Sequence, residues 1–168
     1  EEAYRMFSLV FEGLIRIDSA NTLTPWLAET WSSDESGRVW TLNLRKNVFF
    51  HNSQRVFAAR DAVYTFSLLL NREDPGYYAY VLDAVESLEE VDDSTLKVTL
   101  KETGMSGLYA LNFPILCMDA LSTPPAGTGP YFIASAGDEQ VVLSRNERWW
   151  RQNAYLERVV FLAREDND

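Results

Sequence analysis

The chain has 168 residues, 46% of them hydrophobic and 13% aromatic, and a net charge of −10. That composition describes a folded chain able to bury most of its apolar surface, as one domain or as one lobe of a larger protein. The charge argues against nucleic acid, whose phosphates require clustered Lys and Arg, and disfavours anionic membrane surfaces and anionic ligands.

In chain order, Ala3, Phe7, Val10 and Leu14 recur at helical spacing, with Met6 and Phe11 widening the stripe. Glu1 and Glu2 complement the helix dipole in its first turn. With helical periodicity at the very start, the first residue is expected to be a domain boundary and not a natural start. Gly13 closes or bends this helix, and "LIRID" continues as an extended piece into the turn "SANT". "PWLAETW" is expected to form a short helical turn carrying Trp26, Leu27 and Trp31 inward. "DESG" signals a hairpin turn, after which Trp40, Leu42 and Leu44 alternate with Val39, Thr41 and Asn43 as a strand. "VFFH" is expected to resume as a short strand, with Asn47 and Asn52 suited to positive φ.

"AARDAVYTFSLLLN" is the strongest helix, with Val63, Phe66 and Leu70 as its apolar stripe and Ala59, Ala62 and Leu69 beside it. Pro75 and Gly76 break it. "YVLDAVESLEEV" suits either a short helix or an extended segment. "TLKVTL" is a half-buried strand with Leu96, Val98 and Leu100 inward. Ser106 can cap a helix over "GLYALNF" that Pro114 ends. "STPPAGTGPYF" is a loop, "YFIAS" and "QVVLSRN" form a hairpin across "AGDE", and "RVVFLA" reads as a final buried strand. Hairpins and interleaved helices make the class α/β in the mixed α+β sense, a mixed sheet with flanking helices.

Catalytic motifs are missing. The sequence has no GxSxG elbow and no HExxH, and "GTGPYF" lacks the spacing of a phosphate-binding loop. The carboxylate runs suit a solvated surface. Cys117 is the only cysteine and His51 the only histidine, too few for an internal disulfide or for the usual zinc ligand sets. Cys117, between Leu116 and Met118, reads as a small buried hydrophobe. No metal or cofactor is expected. No apolar run approaches the roughly 18 residues of a membrane span, and no signal-peptide pattern is present.

The ordered set "LVFEGLIRID", "PWLAETWSSDESGRVWTLNLRKNVFFHNS", "ARDAVYTF", "VESLEEVDDSTLKVTL", "GTGPYF", "VVLSRNERWW" and "YLERVVF" resembles the extracellular solute-binding proteins of family 5 across nearly the whole chain. That family includes the oligopeptide-, dipeptide- and nickel-binding components of ABC importers. Gly127 to Tyr131 match its "GTGPY" unchanged, whereas Asn47, Asn52 and Ser53 replace residues that are usually Gly, Asp and Gly, and Phe57 replaces a small polar residue before the helix. The link from Pro114 to Gly127 is shorter than the family's.

The resemblance implies a type II periplasmic-binding-protein-like lobe. Residues 1–168 would be a single lobe, the N-terminal part of a two-lobed protein without its second lobe. The implied function is non-enzymatic: capture of a peptide or similar solute outside the cell membrane by closure of two lobes. Delivery would be to ABC permease subunits. The location would be extracellular or periplasmic, with membrane contact only through a lipid anchor or the permease. The alternative is a ligand-sensing domain of the same fold in a regulatory or signalling protein.

In this family an aromatic wall stands near "DPGYYAYVL", which makes Tyr77, Tyr78 and Tyr80 ligand-binding candidates, with Thr128 and Gly129 of the "GTGPY" loop beside them. The competing role for the tyrosines is packing on a neighbouring strand, and for the loop it is turn geometry. Trp149 and Trp150 are expected to pack the last hairpin, or to face a partner. His51 is expected to close its hairpin through hydrogen bonds to the local backbone.

Overall fold

The computed structural model describes residues 2–119, 125–152 and 154–163, with side chains from residue 5 onward. The side chains of Glu1, Glu2 and Ala3 and the first residues of the "STPPAGTGPYF" loop lie outside these ranges.

Helix α1 (Glu2–Val10) ends ahead of Gly13, and the chain turns into β1 (Ile15–Ile17), paired antiparallel with β2 (Leu23–Pro25). The "SANT" turn between them is closed by Asn21 at φ 59° and by the Asp18 carboxylate, which accepts from the N–H groups of Ala20 and Thr22. The next segment corrects the expectation of a helical turn: "AETWSS" is strand β3 (Ala28–Ser33). Its β-branched and aromatic residues pair with β4 (Val39–Leu44) across the "DESG" turn. Trp26 and Leu27 are nonetheless buried, and Trp31 is half-buried.

The main sheet runs in the order β3-β4-β6-β5, antiparallel throughout, with β5 at Val85–Asp92 and β6 at Thr95–Leu100. Trp40 stands opposite Val98 and Leu42 opposite Leu96, so the inward residues of two strands share one face. Burying each such side chain stabilises the fold by about 1.5–3 kcal/mol. "VFFH" forms no strand; a single bridge joins Phe49 to Val56. Asn47 and Asn52 take positive φ as expected, at 61° and 51°.

Helix α2 (Ala59–Leu70) packs on β5, but its buried face differs from the expected stripe. Ala59, Ala62, Phe66 and Leu69 are buried together with Asp61 and Thr65, whereas Leu70 is exposed and Val63 half-buried. Two polar residues go inward because they make internal bonds. The cap position is Ala58, not the Phe57 expected from the sequence, and Asp61 at the third helical position accepts from the Ala58 N–H at 2.9 Å. It also accepts from the Met118 N–H at 3.0 Å and pairs with Arg55 at 2.9 Å. Burial pushes the Asp61 carboxyl above its ordinary value, against these bonds.

After a 3₁₀ turn at Gly76–Tyr78 come α3 (Ala79–Ala84) and β5, so "YVLDAVESLEEV" is both helix and strand. "GLYALNF" lies in a 3₁₀ helix over Met105–Asn112 that Gly104 precedes, so Ser106 sits inside it and does not cap it. Cys117 is buried.

A second, three-stranded sheet has the order β7-β8-β9, with β7 at Tyr131–Ala136, β8 at Gln140–Arg145 and β9 at Arg158–Leu162. α1 packs on β7, and Val10, Phe11, Tyr131 and Leu143 form a small core separate from the large one. β9 is an edge strand with Val160 and Leu162 exposed, not the buried strand expected from its apolar run.

The two cores meet where the "GTG" backbone crosses α1. A Cβ on Gly127 would lie 2.1 Å from the Val10 carbonyl oxygen, and one on Gly129 would lie 2.5 Å from that of Leu9. Close approach, not positive φ, demands these glycines. Gly127→Ala should therefore cost about 1–3 kcal/mol or more by overpacking, read as a lower urea midpoint. Gly137→Ala, whose Cβ meets nothing nearer than 3.8 Å, should stay within about 0.5 kcal/mol of the parent.

Candidate functional site

The chain from α1 to β1 carries Glu12, which is 4% exposed and lies at the junction of the two cores. Its carboxylate accepts four hydrogen bonds. Oε1 receives the indole N–H groups of Trp26 at 2.8 Å and Trp149 at 3.0 Å. Oε2 receives the indole N–H of Trp150 at 2.9 Å and the Thr128 hydroxyl at 2.8 Å. The four donors come from three parts of the fold: Trp26 just ahead of β3, Thr128 in the "GTGPY" loop, and Trp149 and Trp150 in the loop after β8. Trp149 and Trp150 thus lean on the large core and on Glu12, not on the last hairpin.

All four donors are neutral. Burial pushes the Glu12 carboxyl above its ordinary value, and the hydrogen bonds only partly oppose this. The three indoles can only donate, so the Thr128 hydroxyl is the one partner able to reverse its role if Glu12 takes up a proton.

His51 makes the second tie. Its ring accepts the Gly127 N–H at Nδ1 over 3.1 Å, which fixes Nε2 as the protonated nitrogen donating to the Gly129 carbonyl at 2.9 Å. Its own N–H donates to the Gly127 carbonyl at 2.9 Å. The expectation of a backbone-bonded histidine holds, but the bonded backbone is more than seventy residues away in sequence and not local. Burial holds its pKa below the ordinary value.

The five residues singled out from the sequence fall into two groups. Tyr77 is 69% exposed and packs edge-on to Tyr78 and Tyr80, with ring centroids 5.3 and 6.0 Å away. Tyr78 and Tyr80 are half-buried against the large core, and the Tyr80 hydroxyl donates to Asn112 at 2.8 Å. A small cavity of about 80 Å³ opens beside Tyr78, lined also by Leu68, Pro114 and Leu116. Thr128 and Gly129 lie elsewhere and are buried. Thr128 serves Glu12, and the Gly129 carbonyl accepts from His51 and from the Asn146 amide. Sequence patterns gave no signal for Glu12, which reads as one more acidic residue. The only available hint was an unusual number of tryptophans, each needing an acceptor if buried.

A wider groove of about 520 Å³ runs along α1 and β1, with Asn112 and Trp149 on its walls. Among the described residues no group of three or more His, Cys, Asp or Glu side chains could hold a metal, and no helix is long and apolar enough to cross a membrane.

Glu12→Gln places an amide N–H₂ against indole N–H donors and should cost about 1–3 kcal/mol, measured by urea unfolding at neutral pH. His51→Gln should also lower stability at neutral pH, and it should flatten the acid response. The unfolded chain takes up this proton from 6.5 downward while the folded chain resists it. Acid below that value therefore favours unfolding in the parent. Glu12 has the opposite sign, because its folded carboxyl holds a proton above the ordinary 4.5. Its contribution to stability falls as pH climbs through the window just above that value.

The family model for bacterial extracellular solute-binding proteins, family 5 Middle, matches residues 22–168. Heme-binding protein A of Haemophilus influenzae is 28% identical over 184 residues, covering 90% of this chain and 34% of that protein. The nickel-binding periplasmic protein of Escherichia coli is 26% identical over 168 residues, covering 92% of this chain and 32% of the relative. Among solved structures, the periplasmic binding protein DppA of Helicobacter pylori in complex with peptide STSA superposes with a TM-score of 0.80 at 26% identity, covering 95% of this chain and 38% of that one. NikZ of Campylobacter jejuni in complex with Ni(L-His) gives 0.82 at 27% identity, covering 92% and 34%. The chain thus spans about a third of the length of the curated relatives it matches. Its mixed α/β architecture is that of type II periplasmic binding proteins, and these relatives are binding proteins rather than enzymes. The chain belongs to the bacterial extracellular solute-binding proteins of family 5.

Proposed function

We propose that this chain is one lobe of the substrate-binding component of an ABC importer, and that it captures a peptide or similar small solute by closing against a second lobe. The observation that carries the reading is the tyrosine cluster at the break after α2. Tyr77 is largely exposed yet braced edge-on by two neighbours, and Tyr80 is tied to Asn112. Rigid aromatic rings offer contact area at low entropic cost and accept varied partners. In this reading Tyr77, Tyr78 and Tyr80 form the wall that meets the solute. Thr128 and Gly129 act from inside, by holding Glu12 and His51.

The names of relatives support the class: di/tripeptide-binding proteins of Pseudomonas aeruginosa match at 23–27% identity, beside those naming nickel and heme. The protein would work outside the cell membrane or in the periplasm. ABC permease subunits would be its partners, and membrane contact would come through them or through a lipid anchor. No catalytic step is needed. A half-clamp buries little of a ligand, so the isolated lobe should bind weakly.

Calorimetry with peptide pools on the full two-lobed protein tests this. Tyr77→Ala should weaken binding about tenfold, as loss of an aromatic anchor does, with the melting temperature unchanged. No heat with any peptide or metal chelate would contradict the reading.

A further inference from the structure

Among the described residues, every strand at the rim of the two larger sheets carries a device that discourages a further strand, except one. β3 and β5, the rims of the main sheet, both shift register against their neighbours. β5 also carries Glu86, Glu89 and Glu90, all exposed, and β3 is largely Ser, Thr and Glu. β7 shifts register against β8 between Ile133 and Ser135. Bulges and edge charges of this kind keep an unpaired edge from recruiting another strand. β9 has almost none of this protection. It pairs with β8 in unbroken register from Arg158 to Leu162, and Arg158 at its first position is its only charge.

This edge is also open. The Ala163 N–H donates to the Glu139 carbonyl, and the Arg145 N–H donates to that of Glu157. Alternation between these two bonds points the backbone groups of Val159 and Phe161 at β8, and those of Arg158, Val160 and Leu162 away from it. The side chains of Val159 and Phe161 pack in the small core with α1, whereas Val160 and Leu162 are 46% and 67% exposed on the other face. Val160 stands opposite Val142, so the outer face is apolar across two strands. A strand apolar on both faces has the composition of one that is covered on both sides. At the far end of β9, beside Met6 of α1, a groove of about 290 Å³ is lined in part by Val141, Phe161, Leu162 and Ala163.

We propose that β9 is an interior strand of the two-lobed protein: a segment of that protein outside residues 1–168 adds along its free edge and covers Val160 and Leu162 with apolar side chains. The proposal rests on the two-lobed reading above and adds the surface at which this lobe receives the rest of the polypeptide. Length favours this occupant, because the chain covers only 34% and 32% of two of its relatives, and a tethered segment acts at roughly millimolar effective concentration. A second copy has no such advantage, and two chains of charge −10 repel each other. Pairing through the backbone asks little of the added sequence beyond alternation. It needs an inward apolar residue for the groove beside Met6 and an outward one beside Val160.

Residue-resolved amide hydrogen exchange tests this, on the 168-residue chain and on the two-lobed protein. In the short chain the Val160 and Leu162 amides should exchange at least about a hundredfold faster than those of Val159 and Phe161. In the two-lobed protein all four should be slow, within about tenfold of one another. Val160→Lys should leave the melting temperature of the short chain within about 2 °C and lower that of the two-lobed protein by more. Fast exchange at Val160 and Leu162 in the two-lobed protein would overturn the added strand, whether or not the short chain gives protected amides. If that protein still gives heat with peptides, the solute-binding reading stands without the strand. Slow exchange there, with no heat from any peptide or metal chelate, would support the strand and contradict the solute-binding reading. Protection of Val160 and Leu162 already in the 168-residue chain would overturn the proposal, and its sedimentation as a dimer would then assign the edge to a second copy.

Discussion

One buried carboxylate organises this fold. Glu12 sits where the large core, built on β3 to β6 and α2, meets the small core of α1, β7 and β8. Without its acceptor oxygens, three indole N–H groups and a threonine hydroxyl would face an apolar junction unpaired, at about 1–3 kcal/mol for each one left buried. With them, the start of β3, the "GTGPY" loop and the tryptophan loop are held to the end of α1. His51 adds a second tie to the same loop. The glycines at 127 and 129 are the steric counterpart, since only a backbone without Cβ can lie that close to α1.

Much of the fold was legible in the sequence. The alternation of Trp40, Leu42 and Leu44, the positive-φ asparagines, the α2 helix and the β7–β8 hairpin all follow from local chemistry. The errors share a cause. "PWLAETW" and "VFFH" have ambiguous local preferences, and tertiary pairing decided them. The apolar stripe of α2 was misplaced because Asp61 and Thr65 go inward, which no hydrophobic pattern reveals. β9 looks like a core strand by composition but lies at a sheet edge.

The candidate site was legible only in part. The tyrosines were singled out by the family resemblance, and the fold leaves Tyr77 exposed and Tyr78 and Tyr80 half-buried. The Glu12 cluster could not be seen, because its donors lie 14 to 138 residues from Glu12 in sequence. The same holds for Arg16 and Arg151, whose guanidinium groups lie 4.7 and 4.6 Å from the centroid of the Trp26 ring. One structural economy links these features. Two of the tryptophans that satisfy Glu12 with their N–H groups, Trp26 and Trp150, also hold arginines at their rings. The interior hydrogen bonds that orient these indoles thereby also set the position of the arginines beside them.

The most direct measurement of that linkage is native-state hydrogen exchange along the chain in low denaturant. If Glu12 and His51 bind the two cores into one cooperative unit, the slowest amides of β6 and β8 should open with the same free energy and the same denaturant dependence. Opening of β8 at a markedly lower free energy than β6 would contradict the account, because the two cores would then be neighbours and not one unit.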